Sequence, residues 1–366
     1  MVMVVVQMPR FLIRLCKAVI RRMKIVKYEK FIPENIAPYN ATQIGVYNAK
    51  NNKRLGGFGL QNLRPPNMGQ KLYSFGALSD IHLQYSTAQA DFQRALTYLN
   101  ETEDVDFTCI CGDLTDNGED VDFDTYVNYV NTYSPNTPVY ECTGNHDAYD
   151  NMIGFDKMKP YTGHDLYYSF THGNDVFIMF GTQWYDTTGK LLQPFSKESL
   201  QWLYETLEEN RNKRVFLFQH YLRFDGSGNP FPAPLTGKVL EYCTEGTVFK
   251  ALTEHYKNIV WFHGHSHTRF ELQEGCPHAN YDRLHGCHSV HIPSLAVPRD
   301  YENDAYTHVY SESEGYVVDV YANHIVLRGR DFVKGEFLPI AQYCIDTTPQ
   351  TIMANTFTDS TGTITT

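Results

Sequence analysis

Six apolar runs of strand length punctuate residues 72–262, and five of them stop at side chains of the kind that bind metal ions. Leu72 to Leu78 ends in Ser79-Asp80-Ile81-His82, and Val105 to Cys111 ends in Gly112-Asp113-Leu114-Thr115-Asp116. Val139 to Cys142 leads to Gly144-Asn145-His146-Asp147. Val215 to Phe218 runs into Gln219-His220, and Ile259 to Phe262 into His263-Gly264-His265-Ser266-His267. Residues two apart on an extended chain point the same way, so Asp80 and His82 are expected to grip one ion while Ile81 faces the core. The same rule puts His265 and His267 on one side. One such ending carries little weight, because a lone Asp or His at a strand end is usually solvated or capping something. Five in order constrain the fold to one that gathers its strand ends along an edge. Carboxylate, imidazole and amide oxygen donors suit Mn²⁺, Fe or Zn²⁺ and do not suit a thiolate site.

Helical patterns alternate with these runs, near Ala88–Leu99, Phe123–Tyr133, Lys197–Glu209 and Thr247–His255. Further strand candidates follow at Val290–Ile292, Gly315–Tyr321 and His324–Arg328. Such alternation implies an α/β protein with helices covering a sheet and ligands bound outside the carboxyl ends of its strands. Cys109, Cys111 and Cys142 sit inside strand runs, where cysteine acts as a small hydrophobe. They are expected to be reduced and buried.

The ordered set D-x-H, G-D-x-x-D, G-N-H-[DE], a lone H and G-H-x-H resembles the calcineurin-like metallophosphoesterase superfamily, over roughly residues 71–330. The resemblance implies a four-layer α/β/β/α sandwich around a dinuclear metal site. Carried over position by position, it implies that Asp80, His82 and His267 hold a first divalent ion and Asn145, His220 and His265 a second. Asp113 would bridge them. His146 would be the general acid at the leaving group, oriented by Asp116. The chemistry is sound on its own terms: a metal lowers the pKa of bound water from 15.7 toward about 7, so a bridging hydroxide is available to attack phosphorus near neutrality. A positioned acid typically adds 10²–10⁴-fold.

Departures narrow the choice. Protein Ser/Thr phosphatases carry G-D-x-V-D-R-G and G-N-H-E, whereas this chain reads Gly112-Asp113-Leu114-Thr115-Asp116-Asn117-Gly118 and ends its third motif in Asp147. Purple acid phosphatases have a Tyr ligand where Asp116 stands, and the lipid A-pathway hydrolases have Arg where His146 stands. The remaining likeness is to phosphodiesterase-type members. A small phosphodiester or monoester is therefore the expected substrate, with an attachment or structural protein that retains the metal site as the alternative.

Charge bears on partners. The net charge is −11, yet residues 1–30 carry eight basic side chains against Glu29, leaving −18 on the remaining 336 residues. So acidic a body disfavours long nucleic acid as substrate. From Pro9 onward Leu12, Cys16, Val19 and Met23 share one helical stripe, and Arg10, Arg14, Lys17 and Arg21 share another. This basic leader is either an inert extension, with Met23 opening a second start, or a helix for docking on a membrane surface or a protein. Its short apolar stretch precedes its charges, the reverse of a secretory signal, and no run has the roughly 18 apolar residues of a membrane span, so a cytoplasmic location is expected.

Four regions are expected: the leader (1–30), a small β segment (31–70), the catalytic domain (71–345) and a Thr-rich tail (346–366). Within 31–70, Ile44–Tyr47 and Gly57–Leu60 read as a hairpin around a polar turn. Arg223, in a Gly/Pro-rich loop from Tyr221 to Gly246, and Arg299 are candidate phosphate contacts. Cys276, His278, His285, Cys287, His288 and His291 form a second cluster, read as a plain hairpin insertion ahead of a zinc site or a disulfide because the spacing fits no usual zinc pattern.

Overall fold

The computed structural model describes residues 69–148, 158–182, 195–221, 244–271, 280–282, 287–302 and 305–347, with short strands at 3–6, 24–25, 43–48, 54–59, 358–359 and 362–363. Four of the short strands, β1 (Met3–Val6), β2 (Lys24–Ile25), β3 (Gln43–Asn48) and β4 (Arg54–Gly59), form a sheet in the order β2-β1-β3-β4. β3 and β4 pair antiparallel from Gln43↔Gly59, as a hairpin around residues 49–53. The helical stripe from Pro9 to Met23 lies outside the described residues.

The body begins with β5 (Tyr73–Leu78), α1 (Ala88–Glu101), β6 (Phe107–Cys111), α2 (Asp120–Tyr133) and β7 (Val139–Cys142). After α3 (Met158–Thr162) come β8 (Tyr167–His172), β9 (Asp175–Phe180), α4 (Lys197–Glu209), β10 (Val215–Phe218), α5 (Thr244–His255) and β11 (Ile259–His263). The chain continues through β12 (Tyr281–Asp282), β13 (His288–His291), β14 (Arg299–Glu302), β15 (Ala305–His308), β16 (Glu314–Val320), β17 (His324–Asp331) and β18 (Glu336–Asp346), with a last hairpin of β19 (Thr358–Asp359) and β20 (Gly362–Thr363).

Two six-stranded sheets result, ordered β18-β17-β16-β5-β6-β7 and β12-β13-β11-β10-β9-β8. In the first, β5, β6 and β7 run parallel while β16 joins β5 antiparallel. In the second, β9, β10, β11 and β13 are parallel. Strand alternation decides which core each side chain enters. Phe75, Phe107, Phe177, Phe216, Phe218 and Phe262 face inward between the sheets. Ile178, Leu217 and Trp261, from the same strands, face α4 and α5 on the other side. Leu78 and Ile110 meet Phe92, Leu96 and Tyr126 of α1 and α2. The layers are therefore α/β/β/α, the architecture the motifs imply.

Cys109, Cys111 and Cys142 are buried free thiols. Two of the strands missing from the sequence reading are sheet edges: β8 mixes partly buried and exposed residues, and β18 begins exposed, becomes buried and is exposed again at Asp346. No described helix is long and apolar enough to cross a membrane.

Candidate metal centre

The carboxyl ends of β5, β6, β7, β10 and β11 meet at one edge, and the backbone there is not extended. Asp80, His82, Asp113, His265 and His267 all have positive φ, at 52°, 42°, 50°, 72° and 59°. Among the described residues the sole other non-glycine with positive φ is Asp104, so this costly conformation is concentrated at one place. The extended-chain rule thus fails, because the strands stop at Leu78 and His263 and tight turns follow. Asp80 and His82 still share a cluster, while His265 and His267 go to different ones.

Hydrogen bonds hold these turns. The backbone N–H groups of Ile81 and His82 donate to the Asp113 carbonyl at 2.8 and 3.1 Å. Asp80 accepts from the Ser79 hydroxyl at 2.6 Å and from the His265 backbone N–H at 3.0 Å. Close approach explains two glycines of the motifs. A Cβ on Gly264 would lie 1.9 Å from Ser79 Oγ and 2.3 Å from Asp80 Oδ2, and one on Gly144 would lie 2.1 Å from Asp113 Oδ1.

Two clusters of potential ligand atoms share one carboxylate. Asp80, His82, Asp113 and His267 form the first, and Asp113, His220 and His265 the second. In the first, His267 Nε2 lies 3.1 Å from Asp80 Oδ1 and 3.2 Å from His82 Nε2. In the second, His220 Nε2 lies 3.1 Å from Asp113 Oδ2 and 3.2 Å from His265 Nδ1. Asp113 Oδ2 is also 3.5 Å from His82 Nε2, so one oxygen stands between the clusters. Its other oxygen accepts the His146 backbone N–H at 2.9 Å. Asn145 is buried between Gly144 and His146, both of which touch Asp113.

Second partners orient the rings. His220 Nδ1 is 2.8 Å from the Cys111 carbonyl, His267 Nδ1 is 3.3 Å from the Val297 carbonyl, and His82 Nδ1 is 3.0 Å from Asp116 Oδ1. Each such contact takes the proton of one ring nitrogen and turns the other toward the cluster, as metal-binding histidines require. The donors are nitrogen and oxygen in a buried, carboxylate-rich setting; the set fits a pair of divalent ions.

Burial raises the Asp113 carboxyl, but His220 and His146 outweigh it and hold the group well below the carboxylate range. Burial likewise lowers His220, yet Asp113 and Asp80 push it up to about 10. His267 falls to about 3 through burial and the neighbouring Arg299 charge. Burial also depresses His146, against the pull of Asp113.

Asp116 serves two rings. Its carboxylate meets His82, while its backbone carbonyl is 2.8 Å from His146 Nδ1 and its Oδ1 is 3.4 Å from the same nitrogen. The His146 ring packs edge-on against His82, 4.6 Å between centroids.

Sequence reasoning missed the support from residues 294–297. Ser294 Oγ donates to the Asp80 carbonyl at 2.8 Å, the Leu295 N–H to Ser79 at 2.9 Å, and the Val297 carbonyl meets His267. Nothing local in Ser294-Leu295-Ala296-Val297 signals this, since Ser294 lies 214 residues from Asp80. In the second cysteine–histidine group, Cys276, His278 and His285 lie outside the described residues. Cys287 packs in the core under α5, His288 meets the Tyr281 hydroxyl at 3.0 Å, and His291 Nε2 is 2.9 Å from Ser266 Oγ, between the two loop histidines. Arg223 also lies outside the described residues.

A family model described as calcineurin-like phosphoesterase matches residues 73–269. No curated protein matches the chain significantly. Among solved structures, GAP50, the anchor in the inner membrane complex of Plasmodium, is 13% identical with a TM-score of 0.50, covering 77% of this chain and 90% of that one. Vacuolar Protein Sorting 29 from Cryptosporidium parvum is 11% identical with a TM-score of 0.37, covering 76% and 100%.

Proposed function

Because the chain belongs to the calcineurin-like phosphoesterase family, we propose that it hydrolyses a small phosphate ester with two divalent ions, a diester in preference to a monoester. The observation that carries this reading is the position of Asp113, one oxygen between two buried ligand clusters and the other on the His146 amide. Asp80, His82, His267 and Asp113 would hold one ion; Asp113, His220, His265 and Asn145 would hold the other. Mn²⁺, Fe or Zn²⁺ matches the donor set, and two such ions would supply a nucleophile from water at neutral pH and offset charge on the phosphoryl oxygens.

The chain's own residues do the rest. His146 Nδ1 is engaged by the Asp116 carbonyl, so the proton passed to a departing alkoxide leaves from Nε2. The Asp116 carboxylate favours the imidazolium that this step needs and fixes His82 from behind. The preference for diesters rests on the motif departures that set the chain apart from protein phosphatases and purple acid phosphatases.

A second reading is a docking protein that keeps its metals for stability, placed in a larger assembly or at a membrane surface through its N-terminal residues. Its support is the shared fold with GAP50, an anchor in the inner membrane complex of Plasmodium. His146 and Asp116 favour catalysis, because neither belongs to the two clusters that share Asp113, yet both are held against His82 beside them. The test is turnover of bis-p-nitrophenyl phosphate and p-nitrophenyl phosphate by metal-stripped protein restored with Mn²⁺, with Asp113→Asn as control. Faster diester turnover, lost in the variant, is expected. No turnover of either ester with two ions bound would favour the docking reading.

A further inference from the structure

The two-stranded ribbon of β14 and β15 is separate from both large sheets and leaves the chain directly beside the ligand loop of β11. The Arg299 N–H donates to the His267 carbonyl at 2.7 Å, the Arg269 N–H donates to the Arg299 carbonyl at 3.2 Å, and Thr268 and Arg299 form a parallel bridge. The base of the ribbon is thus pinned to the backbone that carries His267.

Cross-strand pairing then fixes which way Arg299 points. Arg299 and His308 are register partners, and directly opposed residues of an antiparallel pair project from the same face. That face is identified by His308, whose ring lies 6.1 Å edge-on from Tyr85, which in turn lies 5.5 Å edge-on from His82. A row of rings leads from the first ligand cluster out to the ribbon and ends at the Tyr310 hydroxyl, 2.8 Å from His308 Nδ1. Arg299 shares the face that looks into the cluster. Tyr85, Arg299 and His308 are all half-buried, so the wall they form is open to a ligand.

We infer that this ribbon is the substrate-recognition wall of the site, and that Arg299 binds an anionic oxygen of the phosphate ester beside His267. A guanidinium next to a cluster that holds divalent cations is repelled by them unless an anion lies between. A phosphoryl group bound to the ions supplies that anion, and the planar fork of arginine matches two of its oxygens. Tyr85 and His308 bound the side on which the ester group leaves, since Tyr85 and His146 both flank the His82 ring. The inference deepens the phosphoesterase reading and rests on it for the identity of the ligand, but its test does not need turnover.

The experiment is calorimetric titration of inorganic phosphate into the full chain loaded with Mn²⁺, comparing wild type, Arg299→Met, Arg299→Lys and Arg94→Met. Arg94→Met removes the same charge from α1, where Arg94 pairs with Asp91. The expected result is about tenfold weaker phosphate binding in Arg299→Met, an intermediate loss in Arg299→Lys, and wild-type affinity in Arg94→Met, with Mn²⁺ stoichiometry unchanged throughout. Unaltered affinity in Arg299→Met, equal losses in Arg94→Met, no phosphate binding by the wild type, or loss of Mn²⁺ from both Arg299 variants would each overturn the assignment. Phosphate binding that depends on Arg299 without any ester turnover would leave this inference standing and remove the catalytic one.

Discussion

The space between the sheets and the edge where their strands stop are built on opposite rules. Between the sheets the backbone is extended, every second side chain is apolar, and Phe75 stacks on Phe107 at 5.5 Å while meeting Phe177 and Phe216 edge-on at 5.3 Å each. At the edge, left-handed turns crowd buried carboxylates and imidazoles within hydrogen-bonding distance of each other. The first region gains stability from burial and packing. The second retains strain and like charges that a stable fold would avoid, and divalent ions would offset them. Stability and function are thus separated along the same strands.

Substitutions on each side should separate in the same way, and the largest effect belongs to the core. Phe75→Ala is expected to cost about 3–5 kcal/mol in chemical denaturation while Mn²⁺ stoichiometry of the folded fraction stays at wild type. A variant that lost metal at full stability would break the distinction. His146→Ala should do the reverse, lowering turnover of poorly activated esters by about 10²–10³-fold with metal content and melting temperature retained. Loss of metal in that variant would make His146 a ligand. Because burial holds His146 below the ordinary imidazole value, its imidazolium form declines as pH rises toward neutrality. The wild-type to His146→Ala rate ratio should therefore be greatest at the acid end.

Asp116→Asn is expected to cost about 10–100-fold in activity, through a His82 ring freed from its carboxylate and a less basic His146. Equal activity would show that the Asp116 carbonyl alone suffices. The most gradual effect, per pH unit, concerns metal uptake. His220 is held protonated to about 10 in the metal-free protein, so an ion at its Nε2 must displace that proton. Mn²⁺ affinity should fall about tenfold for each pH unit lost between 8 and 6, read by calorimetry in buffers of different ionisation enthalpy. A flat profile would mean that His220 is not displaced.

How much of this was legible in the sequence follows the same division. Helix α4 falls on the expected Lys197–Glu209 and β10 on its expected run, a strand buried on both faces that spells a continuous apolar stretch; edge strand β7 also falls on its expected run, although Glu141 interrupts its apolar residues. Edge strand β8 was not legible, since two of its six residues are exposed, the rest are only partly buried, and the pattern weakens. At the site, the ligand types and their order could be read, but not their backbone. Asp80 and His82 were expected two apart on an extended strand, and they sit instead in turns stabilised by the Asp113 carbonyl. Nor could the division of Asp116 between two rings be seen, or the seat that Ser294 gives Asp80, because both depend on chain segments brought together by the sheets.

The central claim is that Asp113 joins two ion sites into one centre. Electron paramagnetic resonance of metal-stripped protein titrated with Mn²⁺, alongside Asp113→Asn, tests it most directly. The account predicts two ions per chain with the multiline spectrum of a spin-coupled pair, replaced in the variant by weaker, uncoupled binding. A single ion per chain, or two uncoupled ions whose spectrum is unchanged by Asp113→Asn, would contradict it.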